Sequence, residues 1–420
     1  MESDQLQPAR EQNIKQIVSF IESGAKPQGT PGKLGVELEH TIVNDDFTPV
    51  SYEGEHGVAW LLSQLSGQFA EEIRDAEGDL LGLAAPGKTV TLEPASQFEL
   101  SAGPYTEVGE IRYEFEGFQR DIARLLTPVH ERILAVGYHP SAKALDLELI
   151  PKVRYEYMNN HFEKIGPWGQ RMMRGSASTQ VSIDYYSEED CVRKMRVAYA
   201  LSPLFALITD NAPTFEGAPS PHRMMRTEIW RECDPARCGV TPGVFDEGFG
   251  WRAYAEKILD TPAILVPDGG GWRATEQTFG EVYATEPMTR ADVEHAVSML
   301  FNDVRLKTYV EIRPADAMPI PFVAAYAALV KGLFYNEDNL NELADELSAV
   351  TAQDVDDAKL ALMRNGYDAT VYGKDAGAWA DELFERAQNG LAFNERNYLS
   401  ALHALVQRRT TLADMGAHHA

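Results

Sequence analysis

Two glutamates two residues apart, Glu37 and Glu39 in the run Leu34-Gly-Val-Glu-Leu-Glu-His40, are the first side chains able to do chemistry. They alternate with Val36 and Leu38, and the wider stretch sets Leu34 and Ile42 on one side and Thr41 on the other. That is the period of a half-buried strand, so both carboxylates face one way, roughly 7 Å apart. The stretch Val90–Ser101 repeats the device, with Glu93 and Glu99 sharing parity with Thr91, Gln97 and Ser101; Pro94 is expected to add a bulge between them. Around Ser178–Tyr185, Ser178, Gln180, Ser182 and Asp184 share a face. In Arg305–Pro314 the shared face carries Arg305, Lys307, Tyr309, Glu311 and Arg313.

If these strands share a sheet, several carboxylates converge on one surface. Buried like charges repel, and some pKa values rise. A hard divalent cation reverses the sign of that interaction: Mg²⁺ takes oxygen ligands, keeps waters and is commonly shared with substrate phosphates. The other reading is a plain antiparallel sheet with one solvated face, where Glu is tolerated.

The candidate cations divide in the same way. Arg313 suits a phosphate oxygen beside a metal, or a salt bridge to a strand glutamate. Lys152, Arg154 and Tyr155 form a cationic cluster after an apolar stretch, read either as a binding group or as a solvated loop. Arg226 lies among apolar residues in His222-Arg-Met-Met-Arg-Thr-Glu-Ile-Trp230. A buried guanidinium needs a partner, either a substrate carboxylate or a structural glutamate. Gln180 and Ser178 have the neutral hydrogen-bonding character to hold an amino acid, or simply make a sheet face polar.

These residues need elements to position them. Helical periodicity runs over roughly Glu11–Ser23, Val108–Val136 with a break at Pro128, and Glu188–Thr209 with a kink at Pro203. Ser187 and Asp190 resemble a capping box at the start of the last of these. Helices then dominate from Phe322 to Arg408, and the tail from Gly416 reads as loose. Polar-faced strands separated by helical excursions predict an α+β fold with a mainly antiparallel sheet. No stretch resembles a low-complexity linker, so one domain spanning 1–420, with a helical part at about 321–410, is expected.

Composition narrows the function. The chain has 420 residues, 38 Lys and Arg against 64 Asp and Glu, and a net charge of −26. Such a charge disfavours nucleic acid as a partner. No run approaches the ~18 apolar residues of a membrane span, and the polar N-terminus lacks a signal-peptide core. Cys191, Cys233 and Cys238 are few and odd in number, which points away from a disulfide framework and toward a reducing cytoplasm. Asp268-Gly-Gly-Gly-Trp272 reads as a hairpin turn and His139 as a turn residue; the sequence holds no P-loop, HExxH or GxSxG. No nucleophile motif stands out.

At this point the motifs become recognisable. GVELEH, TLEPASQFELSAGP, IPKVRYEYMNNH, QVSIDY, RKMRVAYALSPLFALITDNAPTFEG, MMRTEIW, VFDEGFGWRAYAEKILDTP and VRLKTYVEIRPAD, in order from about Ile17 to Ala349, resemble glutamate–cysteine ligases of the plant and proteobacterial type. The resemblance implies a glutamine-synthetase-like fold, a curved and mainly antiparallel sheet forming a funnel for ATP and two or three Mg²⁺. It implies phosphorylation of the glutamate side chain by ATP, then displacement of phosphate by the cysteine amine. It assigns Glu37, Glu39, Glu93, Glu99 and Glu311 to metal, Arg313 to the transferred phosphate and Arg226 to the glutamate carboxylate. Lys152, Arg154, Ser178 and Gln180 fall in matching substrate motifs. Two alternatives share the pattern: the same activation with another acceptor amine, and a non-catalytic regulator on this fold. There are departures. Ser178 stands where relatives carry threonine, His139 where many carry glutamine, and the cysteines do not sit where the plant regulatory disulfides would place them.

Overall fold

The computed structural model describes residues 2–416, with side chains from Ala9 onward; the tail past Gly416 falls outside it. One antiparallel sheet gathers β1 (Leu34–Asn44), β2 (Glu71–Arg74), β3 (Leu80–Ala85), β4 (Lys88–Leu92), β5 (Phe98–Tyr105), β6 (Glu131–Leu134), β7 (Ser178–Ile183), β8 (Val304–Leu306) and β9 (Val310–Asp316). Its order is β8-β9-β7-β1-β5-β4-β3-β2, with β6 added along the far half of β1. The α+β expectation is met.

β1 is the axis. It pairs with β5 on one side and β7 on the other, so Glu37 faces both Ser101 and Gln180, and Glu39 faces Glu99. On β9, Glu311 sits opposite Ser182 of β7 and Arg305 of β8. Directly opposed residues share a face, so the polar residues of five strands end on one surface. The other face is apolar: Val36, Leu38, Leu100, Val181, Ile183, Val310 and Ile312 are buried against helices.

Two expected strands break into hairpins. Arg305–Pro314 turns at Lys307–Tyr309, where the Lys307 amide donates to the Tyr309 carbonyl, so Arg305 and Glu311 become cross-strand partners. Val90–Ser101 turns at Glu93–Gln97, with the Glu93 and Ser96 amides closing the loop and Ser96 at φ 67°. Pro94 thus marks a turn, not a bulge. The helix expected to reach Val136 ends at Leu126; a single 3₁₀ turn containing Pro128 follows, then His130 in the left-handed region, then β6. Proline lacks the amide the next helical bond needs.

The long helix Glu188–Ile208 crosses behind β9 and is almost wholly buried. Ser187 accepts from the Asp190 amide, while the Asp190 carboxylate accepts from the Tyr186 amide. Pro203 does not break it. The Tyr199 carbonyl that Pro203 cannot serve accepts instead from the Ser202 hydroxyl at 2.9 Å. Helix Ile320–Phe334 lies against the same core, with the remaining C-terminal helices around it. The Asp268–Trp272 glycines form the expected hairpin turn, with Gly269 and Gly270 both at positive φ. Among the described residues, no helix is long and apolar enough to cross a membrane.

Leu38 lies between the two glutamates and points into the core with no exposure. Leu38→Ala is expected to cost about 2–5 kcal/mol, read by denaturant unfolding. A cost well below 1 kcal/mol would show that β1 is not held by its apolar face.

Candidate active site

The polar face opens into a cavity of about 370 Å³. Glu37, Glu39, Glu93, Glu99, Lys152, Arg154, Ser178, Gln180, Arg226 and Arg313 all line it. Of the residues nominated from sequence only Glu311 does not, because it lies beneath the wall with no exposure. A second cavity of about 560 Å³ adjoins, and Glu37 borders both.

The carboxylates fall into two electrostatic classes. Glu39 accepts from the Ser178 amide at 2.8 Å, the Ser178 hydroxyl at 2.7 Å and the Gln180 amide at 3.3 Å. Glu99 accepts from the Thr91 and Ser101 hydroxyls at 2.7 and 3.2 Å. Among the described residues, none of Glu37, Glu39, Glu93 and Glu99 joins an ion pair. Burial, then repulsion by Glu99 and Glu311, lifts Glu37 to about 7. Burial, then repulsion by Glu93 and Glu99, lifts Glu39 to about 8. Glu99 is raised by burial and by Glu93.

Glu311 is the opposite case. Its carboxylate accepts from Arg305 Nε at 2.6 Å, Arg313 Nη1 at 2.9 Å and Lys307 Nζ at 2.9 Å. Burial works to raise its pKa, yet these three cations hold it well below the usual range. Three cations against one anion leave local positive charge on the wall facing the glutamates. Sequence reasoning placed Arg305 and Lys307 on this face without giving them a role; their parity with Glu311 was the available signal.

Arg226 sits on the short helix Met225–Arg231, buried. Its Nη1 donates to the Arg313 carbonyl at 3.1 Å, and its Nε has no partner. The guanidiniums of Arg226 and Arg313 lie 5.5 and 5.9 Å from the Trp230 ring centroid, so one indole steadies both. Arg313 also donates to Gln180. Trp230, one helical turn from Arg226, went unnominated from sequence.

Lys152 and Arg154 do not sit in a solvated loop. They open helix Val153–Ile165, where Lys152 lies 4.5 Å over the Tyr155 ring and Arg154 donates to Ser298 Oγ at 3.0 Å. The Tyr155 hydroxyl donates to the Leu92 carbonyl, tying this helix to β4. His139 is a turn residue whose Nδ1 accepts from the Ser141 and Ala142 amides. Cys191, Cys233 and Cys238 are buried free thiols.

Among the described residues, no three His, Cys, Asp or Glu side chains close on one point as a finished metal shell. The cavity offers instead four carboxylates that join no ion pair, with hydroxyl and amide oxygens beside them. That donor set fits a hard cation that keeps part of its water, and does not fit zinc.

The model of glutamate-cysteine ligase family 2 matches residues 33–415. Glutamate–cysteine ligase B, chloroplastic, of Oryza sativa subsp. japonica is 28% identical over 410 residues, covering 95% of this chain and 82% of the rice protein. The chloroplastic enzyme of Arabidopsis thaliana is 28% identical over 413 residues, covering 95% and 78%. A crystal structure of glutamate–cysteine ligase from Francisella tularensis, in complex with AMP, shares the fold at a TM-score of 0.53 and 12% identity, covering 93% of this chain and 84% of that one. The plant relatives overturn the cytoplasmic placement expected from the cysteines and the N-terminus: they are named chloroplastic, and a low cysteine count does not distinguish one reducing compartment from another. On the family match across nearly its whole length, the chain belongs to glutamate-cysteine ligase family 2.

Proposed function

We propose that the cavity joins the side-chain carboxylate of L-glutamate to the amino group of L-cysteine at the expense of ATP, giving γ-glutamylcysteine, ADP and phosphate. The observation that carries this is the meeting, around one cavity, of four carboxylates that join no ion pair with the three-cation cluster around Glu311 and the unpartnered Nε of Arg226. Phosphoryl transfer needs positioning and charge neutralisation and no protein nucleophile.

The roles follow from place. Glu37, Glu39, Glu93 and Glu99 would hold Mg²⁺, and Glu311 would join them only by releasing one of its cations. When bound, Mg²⁺ supplies the positive charge that lets a nucleotide polyphosphate approach this acidic wall. The larger adjoining cavity, which meets the site at Glu37, would seat the nucleoside. Arg226 takes the glutamate α-carboxylate through its free Nε, with Ser178 and Gln180 beside it. The glutamate side-chain oxygen attacks the terminal phosphorus of ATP, the bond to ADP breaks, and Arg313 neutralises charge on the transferred group. The acceptor nitrogen then attacks the acyl carbon, a C–N bond forms, and phosphate leaves as the amine loses its proton. The whole chain acts as one catalytic domain, since a continuous apolar core runs from Ile14 to Leu412.

Purified protein given ATP, Mg²⁺, glutamate and cysteine is expected to form ADP and γ-glutamylcysteine in equal amounts; ADP release that ignores cysteine would refute the ligation. Arg313→Lys is expected to lower kcat by about 10²–10³-fold. Arg226→Lys is expected to raise the glutamate KM by about 10- to 100-fold, the loss of one charge-assisted hydrogen bond; steady-state kinetics separate the two.

The pH dependence has a definite sign. Glu37 and Glu39 titrate near 7 and 8 in the folded chain against an ordinary 4.5. Folding therefore favours their protonated forms, and that stability is present below about pH 4.5 and lost as pH rises through 7–8. In a chelating buffer, their contribution should lower Tm between pH 5 and 8, and Glu39→Gln should flatten the slope. Mg²⁺ should raise Tm more at pH 8 than at pH 5; an equal rise at both would remove these carboxylates as its ligands.

A further inference from the structure

Helix Ala352–Asn365 belongs to the C-terminal helical part, yet two of its side chains reach the elements that carry the substrate arginines. Asp356 takes Arg231, the last residue of the Arg226 helix, in a two-pronged pair: Arg231 Nε and Nη2 donate to its two oxygens at 2.7 and 3.0 Å. Lys359, three residues on and so on the same face, is 4% exposed and donates through Nζ to the Asp303 carboxylate. Asp303 precedes β8, and its carbonyl accepts from the Arg313 amide at 2.9 Å.

Desolvating an ion pair is costly, and this one holds none of the groups assigned to substrate or metal. Its surroundings supply a reason for it. Asp303 and Lys359 border a cavity of about 20 Å³, the room of one water, together with Arg226, Trp230 and Arg313. Burial works against the Arg226 charge, and three carboxylates act to hold it: Asp316, Glu39 and Asp303. Asp316 accepts from the Asn211 amide at 2.8 Å, and Glu39 from Ser178 and Gln180. Among the described residues, Asp303 alone of the three is paired with a cation, Lys359. Arg313 is committed to Glu311 and Gln180, whereas Arg226 keeps an unpartnered Nε. A bare Asp303 carboxylate is therefore an internal rival to the substrate for Arg226.

We propose that Lys359 is a positioning residue for glutamate: it holds the Asp303 carboxylate away from Arg226, so that the guanidinium is left to the substrate α-carboxylate. This rests on the ligase reading above and adds a residue to its glutamate-binding step. Removing the lysine leaves one buried anion uncompensated, and Arg226, with its free donor, is the cation open to it.

The test is a cycle of variants at Lys359 and Asp303, read as separate KM values for glutamate and ATP. Lys359→Met should raise the glutamate KM about tenfold or more, the effect of one competing charge-assisted bond, and leave the ATP KM nearly unchanged. Lys359→Met combined with Asp303→Asn removes the rival and should bring the glutamate KM back to within about threefold of the wild type. Lys359→Arg, which keeps the pair, should stay near the wild type. A lysine that only braced the fold would lower activity or Tm without singling out glutamate, and losing Asp303 as well would not restore it. An unchanged glutamate KM in an active Lys359→Met, or a double variant no better than the single one, inactivity of both included, overturns the positioning role and leaves the ligase reading standing. A wild type without cysteine-dependent ADP formation overturns the ligase reading and this assignment with it.

Discussion

The site depends on like charges brought together by backbone pairing. β1 is hydrogen-bonded on both sides, and its register sets Glu39 against Glu99 and Glu37 between Ser101 and Gln180. Side chains on a strand alternate between faces, so a slip of one residue would send the glutamates into the core and Val36 and Leu38 into the cavity. The buried apolar face of β1 therefore fixes the register, and the register forces the carboxylates together against their own repulsion. Among the described residues no cation forms an ion pair with those four glutamates, and Lys307, Arg305 and Arg226 offset the repulsion on Glu37 and Glu39 only in part. The protein places Arg305, Lys307 and Arg313 on Glu311 instead, leaving the four glutamates for something that arrives from outside.

This division explains how a chain with a net charge of −26 can handle a polyanion. The global field is unfavourable to phosphate. Locally, Arg305, Lys307 and Arg313 fan around one buried carboxylate, and that carboxylate holds them in place. A cluster of this kind keeps net positive charge while staying structurally anchored. Charge-assisted hydrogen bonds in a poorly hydrated wall are stronger and better oriented than the same pairs on the surface.

Much of this was legible in the sequence because strand parity is a local property. The alternation around Glu37, Glu39 and Glu99 named the face correctly, and the α+β architecture followed from polar-faced strands between helices. What was not legible is what long-range packing decides. Nothing local says that Lys307–Tyr309 turns the chain, because Thr308 and Tyr309 are good strand residues. Pro94 signalled an interruption but not its size. Pro203 predicted a kink, and the outcome instead hinged on its neighbour Ser202 serving the orphaned carbonyl. The contrast between Glu311 and the other four glutamates was equally hidden: all five have the same parity logic, and only the pairing of β8 with β9 puts Arg305 across from Glu311. Trp230 was missed because a tryptophan beside an arginine reads as packing until the second guanidinium is seen beside the same ring.

Glu37 belongs to both cavities. Whatever neutralises that shared carboxylate from one side alters the potential felt on the other. An occupant of the wider chamber that reaches Glu37 is therefore felt electrostatically in the narrower one, through the charge of a single side chain.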